Sequence, residues 1–161
     1  MEQSLLPDGS VEAFRAVSKE FDTIYTRFAK VCGLSEAEFW SLLMIRGGAT
    51  TQTEISDQLF LSRQTVNSAF KLLVKKGLVR LEPLEHNQRT KQVLLTQSGE
   101  RFMERRIDRM LDAEQQAWQA MEERERALLT RLTRKYAGLV RTALEQAPTT
   151  IESSSSEDLS S

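Results

Sequence analysis

Arg63, Gln64, Asn67, Ser68 and Lys71 stand one, three and four residues apart in a stretch whose other positions include Val66, Ala69, Phe70 and Leu73. On a helix, that spacing gathers the polar set on one side and the apolar set on the other. Gln64 and Asn67 can each form paired hydrogen bonds with a base edge, best with adenine. Thr65 and Ser68 are small enough for close approach, and Arg63 can reach a phosphate or a guanine. Ser62 and the free amides of the first helical turn can donate to a phosphate oxygen. The chemistry open to such a set is gripping and reading a nucleic-acid duplex. A solvated polar face on an ordinary amphipathic helix is the plainer alternative, and this helix alone does not separate the two.

Charge distribution favours the first reading. The 161 residues carry a formal net charge of −1, but residues 62–91 hold seven Lys or Arg against Glu82 and Glu85. Such a concentrated positive segment is the footprint expected of phosphate binding. The other function classes have little material. One His and one Cys leave almost nothing for a metal site or catalytic relay. No glycine spacing makes a phosphate loop, and no carboxylate pair or nucleophile constellation stands out. The expectation is therefore a non-enzyme with no cofactor and no metal. A single Cys suits a reducing, cytoplasmic setting. No apolar run reaches the roughly 20 residues of a membrane span, and the polar, acidic start is no secretory signal.

The positioning elements follow from period and caps. Phe14, Val17, Phe21, Ile24, Phe28 and Val31 form a helical stripe over 11–32, with Gly33 placed to end it. Ser35 with Glu38, and Thr51 with Glu54, are capping boxes that open two further helices. The second of these is short. The three residues Phe60, Leu61 and Ser62 join it to the helix over about 63–76, so 51–76 reads as a helix-turn-helix. Such a unit can place its second helix in a major groove. Leu78 to Glu82 and Lys91 to Leu95 predict a β-hairpin with a polar tip over 83–90. Arg89, near that tip, could enter a narrow minor groove, with Lys91 and Arg80 on phosphates beside it. Thr96 should cap a long helix over about 97–121, and a last helix should run over about 123–146. The Ser-rich acidic stretch 147–161 reads as disordered, and residues 1–10 as a flexible start.

The fold class expected is mainly α with a small β-hairpin wing: a winged helix-turn-helix lobe over about 35–95, flanked by dimerisation helices over 11–32 and 97–146. Those flanking helices hold more apolar side chains than a small three-helix core can cover, so they need a partner. A two-fold dimer would set two reading helices about 34 Å apart, one turn of DNA. The partners expected are thus double-stranded DNA carrying an inverted repeat and a second copy of the chain, with no membrane.

Several short motifs in this order resemble one family. Ile55-Ser56-Asp57-Gln58-Leu59, Leu61 to Val66, Leu73 with Lys76-Gly77-Leu78-Val79, and Asn87-Gln88-Arg89 ahead of Leu94-Leu95-Thr96 and Gly99 are similar to the multiple-antibiotic-resistance-regulator (MarR) family. The resemblance covers about 11–146. It implies a homodimeric winged-helix transcription regulator, with a repressor that releases a pseudopalindromic operator on binding a small molecule as the expected form. It assigns DNA contact to Ser62, Arg63, Gln64, Thr65, Asn67, Ser68, Lys71, Arg89 and Lys91. The family's wing usually has Asp two residues before its Arg. Here Asn87 stands there, which keeps a hydrogen-bond acceptor but removes a charge. The resemblance also implies an effector cavity, for which Phe21, Tyr25, Trp40 and Met44, with Trp118, are the candidates, and plain core packing is the alternative. Two further readings stay open: a thiol-based redox sensor through Cys32, and a helical protein-interaction module with no DNA role.

Overall fold

In the computed structural model, residues 9–84 and 87–147 are described, with only the backbone at 84 and 87–89. The chain divides into two compact units, Met1–Leu111 and Asp112–Ser161. The first holds α1 (Val11–Val31), α2 (Glu36–Arg46), α3 (Gln52–Leu59), α4 (Arg63–Lys75), β1 (Val79–Leu84), β2 (Asn87–Leu95), α5 (Gln97–Phe102) and a π turn (Met103–Ile107). Helix α6 (Asp108–Ala120) begins there and continues into the second unit, which also holds α7 (Glu123–Gln146). This is a mainly helical winged helix-turn-helix, as the patterning anticipates.

Local chemistry explains the helix ends. Ser10 caps α1 by accepting from the Ala13 amide at 3.0 Å. At the other end Gly33 takes φ +70°. Its N–H donates to the Lys30 carbonyl and that of Leu34 to the Ala29 carbonyl, both at 2.9 Å. That pair of bonds is a Schellman ending, which needs a left-handed residue at Gly33. Both expected capping boxes form: Ser35 with Glu38, and Thr51 with Glu54.

The core of the first unit gathers one side chain set from each element. Phe39 and Leu42 come from α2, Ile55 from α3, and Val66, Phe70 and Leu73 from α4. Val79 and Val93 come from the hairpin, and Met103 and Ile107 from the π turn. The apolar side assigned to α4 is therefore the buried side.

Beneath this core lies an ion pair that no local pattern announces. The Glu38 carboxylate, 1 % exposed, accepts from Lys76 Nζ at 2.6 Å and from the Ser35 amide at 2.8 Å. Lys76 also donates to the Gly33 carbonyl at 2.8 Å. The end of α4 is thereby tied to the α1–α2 corner. Removing only the cation strands a buried carboxylate, the costly way to break such a pair. Lys76→Met is expected to lower stability by about 2 kcal/mol, less than a fully buried pair would lose because Lys76 reaches solvent. A urea unfolding midpoint unchanged from wild type would refute this.

Two expectations need correction. The hairpin strands are longer than 78–82 and 91–95, and most of the expected tip is strand. Pro83 pairs with Lys91, and the register shifts between Pro83 and Leu84. A two-stranded ribbon has two open edges, so a residue without an N–H fits at such an irregularity. The helix expected over 97–121 is also interrupted. Within it the Asp108 amide bonds back five residues, to the Met103 carbonyl. Gly99, Met103 and Ile107 are all buried. On a regular helix, four-residue steps drift by about 40° each. The wider turn takes up the drift and keeps all three facing the core.

The hairpin base is closed by backbone contact. Thr96 accepts from the Gly99 amide at 2.9 Å, while its hydroxyl donates to the Gly77 carbonyl at 2.5 Å. A Cβ on Gly99 would lie 1.9 Å from the Leu78 carbonyl oxygen. In the second unit, Glu122 and Glu125 form a capping box at the start of α7. The expected disorder of the acidic stretch lies outside the described residues from 148 onward, as does the tip residue His86.

Candidate nucleic-acid interface

Helix α4 is aimed by the turn that precedes it. Phe60 ends α3 in the left-handed region at φ 52°. The Leu61 amide then reaches the Ser56 carbonyl at 3.2 Å, and the Ser56 hydroxyl donates to the Leu61 carbonyl at 2.8 Å. Ser62 caps α4: its Oγ accepts from the Thr65 amide at 3.0 Å and lies 2.8 Å from the Thr65 hydroxyl. The two hydroxyls nominated for contact are thus engaged with each other in the cap.

Ser62, Arg63, Gln64, Thr65, Asn67, Ser68, Lys71 and Lys91 are all exposed, while Val66, Ala69, Phe70 and Leu73 are buried. The exposed set falls on two flanks of α4. Arg63, Asn67 and Lys71, at four-residue steps, line a cleft of about 620 Å³ together with Lys91 of β2. Phe70, Val74 and Leu81 contribute apolar lining to it. Gln64, Thr65 and Ser68 lie on the opposite flank, in a groove of about 390 Å³ shared with Ser35, the cap of α2, and with Ala37 of α2. Arg89 falls among the residues whose side chains are not described.

Three residues that line the cleft escape a reading confined to α4 and the wing tip: Gln52 and Thr53, in the first turn of α3, and Thr90 of β2. The signal was present in the capping box, because Thr51 as N-cap places the Gln52 and Thr53 amides among those with no partner inside the helix.

Electrostatics sharpen the cleft. Lys76 is taken by Glu38, and Arg80 by Glu82 at 2.6 Å, so Arg80 does not stand free for a phosphate as the sequence suggested. Glu82 lies two residues along the same strand and therefore on the same face. Among the described residues no carboxylate pairs with Arg63, Lys71 or Lys91. The unpaired positive charge is concentrated where α4 meets the wing.

The base of the wing is tied to the reading unit. The Val93 amide donates to the Thr50 carbonyl at 2.8 Å, and Thr51 forms a bridge with Gln92. The Glu54 carboxylate accepts from the Thr50 amide at 2.7 Å and from the Thr51 amide at 3.2 Å. The Thr50 amide, chiefly, holds Glu54 below the ordinary carboxylate range. A depressed carboxyl stabilises the fold above its unfolded pKa and loses that effect as pH falls through the folded value. The cap on α3 therefore weakens only in acid.

Four of the effector candidates, Phe21, Tyr25, Trp40 and Met44, lie in the first unit, and Trp118 lies in the second. Phe21 and Tyr25 rings are 5.2 Å apart and Tyr25 and Trp40 rings 5.3 Å apart. Tyr25, Trp40 and Met44 are half-buried and packed against the core. Cys32, half-buried at the end of α1, has its thiol pushed up by burial, with the Arg106 guanidinium opposing. A raised thiol holds less thiolate, the reactive form. Cys32 is expected to react with a thiol reagent at pH 7 more slowly than free cysteine. A faster reaction would reinstate it as a sensor.

Comparison with known proteins agrees with this fold. Residues 33–90 match the model of the MarR family. No curated protein matches the sequence. A MarR family regulator from Neisseria meningitidis has the same fold, with TM-score 0.69, 16% identity, and coverage of 84% of this chain and 96% of that one. A MarR protein from Peptoclostridium difficile superposes with TM-score 0.64 at 18% identity, covering 89% and 94%. A mutant MepR from S. aureus, bound to an oligodeoxyribonucleotide, gives 0.52 at 21% identity, covering 80% and 96%.

Proposed function

From a winged helix-turn-helix chain whose residues 33–90 match the MarR family model, we propose a homodimeric, sequence-specific DNA-binding transcription regulator. The observation that carries this reading is the exposed row on α4, facing a cleft whose cations lack carboxylate partners. Arg63, Lys71 and Lys91 grip phosphates of double-stranded DNA from the wing side, with Asn67 between them. Gln64 and Ser68 read base edges from the other flank. Ser62 and Thr65 hold the helix start and approach the backbone. Arg89 enters the minor groove. The MepR structure bound to an oligodeoxyribonucleotide supports the class of partner.

The second copy is favoured by unpartnered apolar surface. Along α1, Val17 is 65 % and Ile24 60 % exposed. Along α7, Leu132 is 49 % and Leu139 59 % exposed. Stripes of this kind on long helices are covered by another chain in a stable assembly. Two copies related by a two-fold axis call for an inverted-repeat operator. A small molecule lodged near Phe21, Tyr25, Trp40 and Met44 that favours another head spacing releases the operator, which makes the regulator a repressor acting in the cytoplasm. No described helix is long and apolar enough to cross a membrane.

Selection of bound genomic fragments by the purified protein tests this reading, with mass measurement for the dimer. Failure to enrich any duplex would favour a helical interaction module instead. Gln64→Ala is expected to lose about 1–3 kcal/mol of discrimination at particular base pairs, with little change on mixed-sequence DNA. Uniform weakening across operator variants would remove Gln64 from base reading.

A further inference from the structure

The second unit holds a cleft outside the proposed DNA-contact residues. Between the end of α6 and the first three turns of α7 lies an open cleft of about 640 Å³, within the range of small-molecule sites. Trp118 lines it on the α6 side, 39 % exposed. Thr130, Arg131, Arg134 and Lys135 line it from α7. Its remaining cation, Arg126, is already committed, donating to the Trp118 carbonyl at 3.3 Å.

The three other cations have no carboxylate partner among the described residues. Arg131 stands three residues from Arg134 and four from Lys135, spacings at which like charges on a helix repel. One acid, Glu123, lies on the cleft wall. Three adjacent cations beside an exposed indole are thus left without compensation from the chain. At about 100° per residue, Thr130 and Arg134 fall on the side of α7 opposite Leu132 and Leu139, the residues assigned above to the second copy, while Lys135 borders them.

We propose that this cleft binds a small phosphorylated aromatic molecule, such as a nucleoside monophosphate. The ring stacks on Trp118, and the phosphate lies against Arg131, Arg134 and Lys135. A phosphate suits the site better than a carboxylate because its double negative charge and three oxygens match several cations, and arginine meets it with paired hydrogen bonds. Thr130 adds a hydroxyl that can donate to a phosphate oxygen or a sugar. The proposal does not depend on DNA binding and is tested without DNA.

The experiment is calorimetric titration of the full chain with adenosine 5′-monophosphate, adenosine and inorganic phosphate, with the indole N–H resonance of Trp118 followed by NMR. Saturable binding of the monophosphate is expected, at least ten-fold tighter than either fragment, with a shift of the Trp118 resonance. Arg131→Gln with Arg134→Gln should weaken it at least ten-fold, and Trp118→Leu should bring the monophosphate down to the affinity of inorganic phosphate. Equal binding of inorganic phosphate and the monophosphate, indifference to the arginine variants, or no saturation at millimolar concentration would each overturn the proposal. Because these residues are exposed or half-buried, unchanged circular dichroism of the variants confirms that a loss reflects the site.

Discussion

Replacing Arg63, Lys71 and Lys91 together by glutamine is expected to reduce affinity for mixed-sequence duplex DNA at physiological salt about a hundred-fold for each head of the proposed dimer. The reasoning follows from counterion release. Each phosphate neutralised on B-DNA contributes about 0.9 to the slope of log affinity against log salt. Three lost contacts flatten that slope by about 2.7 for each head of the dimer, and near 0.15 M salt this corresponds to about two powers of ten per head. Lys71 and Lys91 lie on different elements yet line the same cleft as Arg63, so all three are placed to follow one strand of backbone. The paired cations form the control. Arg80→Gln should change the slope little, because Glu82 already holds that guanidinium at 2.6 Å. Arg89→Ala should flatten the slope by about 0.9 per head if the wing tip meets a phosphate. A triple variant with the wild-type slope would mean that DNA does not enter the cleft.

Gly99→Ala is the second large effect, and it acts on the fold. Alanine in a helix normally gains up to about 1 kcal/mol over glycine. Here the added methyl would sit 1.9 Å from the Leu78 carbonyl oxygen, a backbone atom with no rotamer to escape into. That oxygen also accepts from the Thr96 amide at 3.1 Å, so moving it opens the hairpin base. Overpacking of this kind costs about 3 kcal/mol. For a chain of this size that lowers the midpoint of thermal unfolding by roughly 6–12 °C. An unchanged or raised midpoint in a thermal scan would show that the two backbones are free to part. The loss should also reach DNA binding, since β1 and β2 leave from this closure.

Much of the reading unit was legible because its determinants are local. The caps at Ser35, Thr51, Ser62 and Thr96 each involve side chains and amides three residues apart, and all four form. The buried side of α4 follows from a single period. The features that escaped are set by distant partners. Lys76 looked like one more surface cation, and its bond to Glu38 joins residues 38 positions apart. Arg80 appeared available until its strand placed Glu82 on the same face. The π turn answers to the burial of Met103 and Ile107 against other helices, which no local period encodes. Gln52, Thr53 and Thr90 meet Lys71 only through tertiary folding. The effector candidates show the converse limit. Their aromatic types were plain, but a stacked cluster against a core and a ligand cradle carry the same sequence signature.

The bond from Val93 to Thr50, with the bridge from Thr51 to Gln92, has a mechanical consequence. Twisting the hairpin would also turn the start of α3 and, through the corner at Phe60, helix α4. In the proposed complex, one protomer would therefore meet the double helix as a stiff two-pronged caliper whose opening is settled before any encounter. In the proposed dimer, spacing along the operator would be left to motion of whole heads.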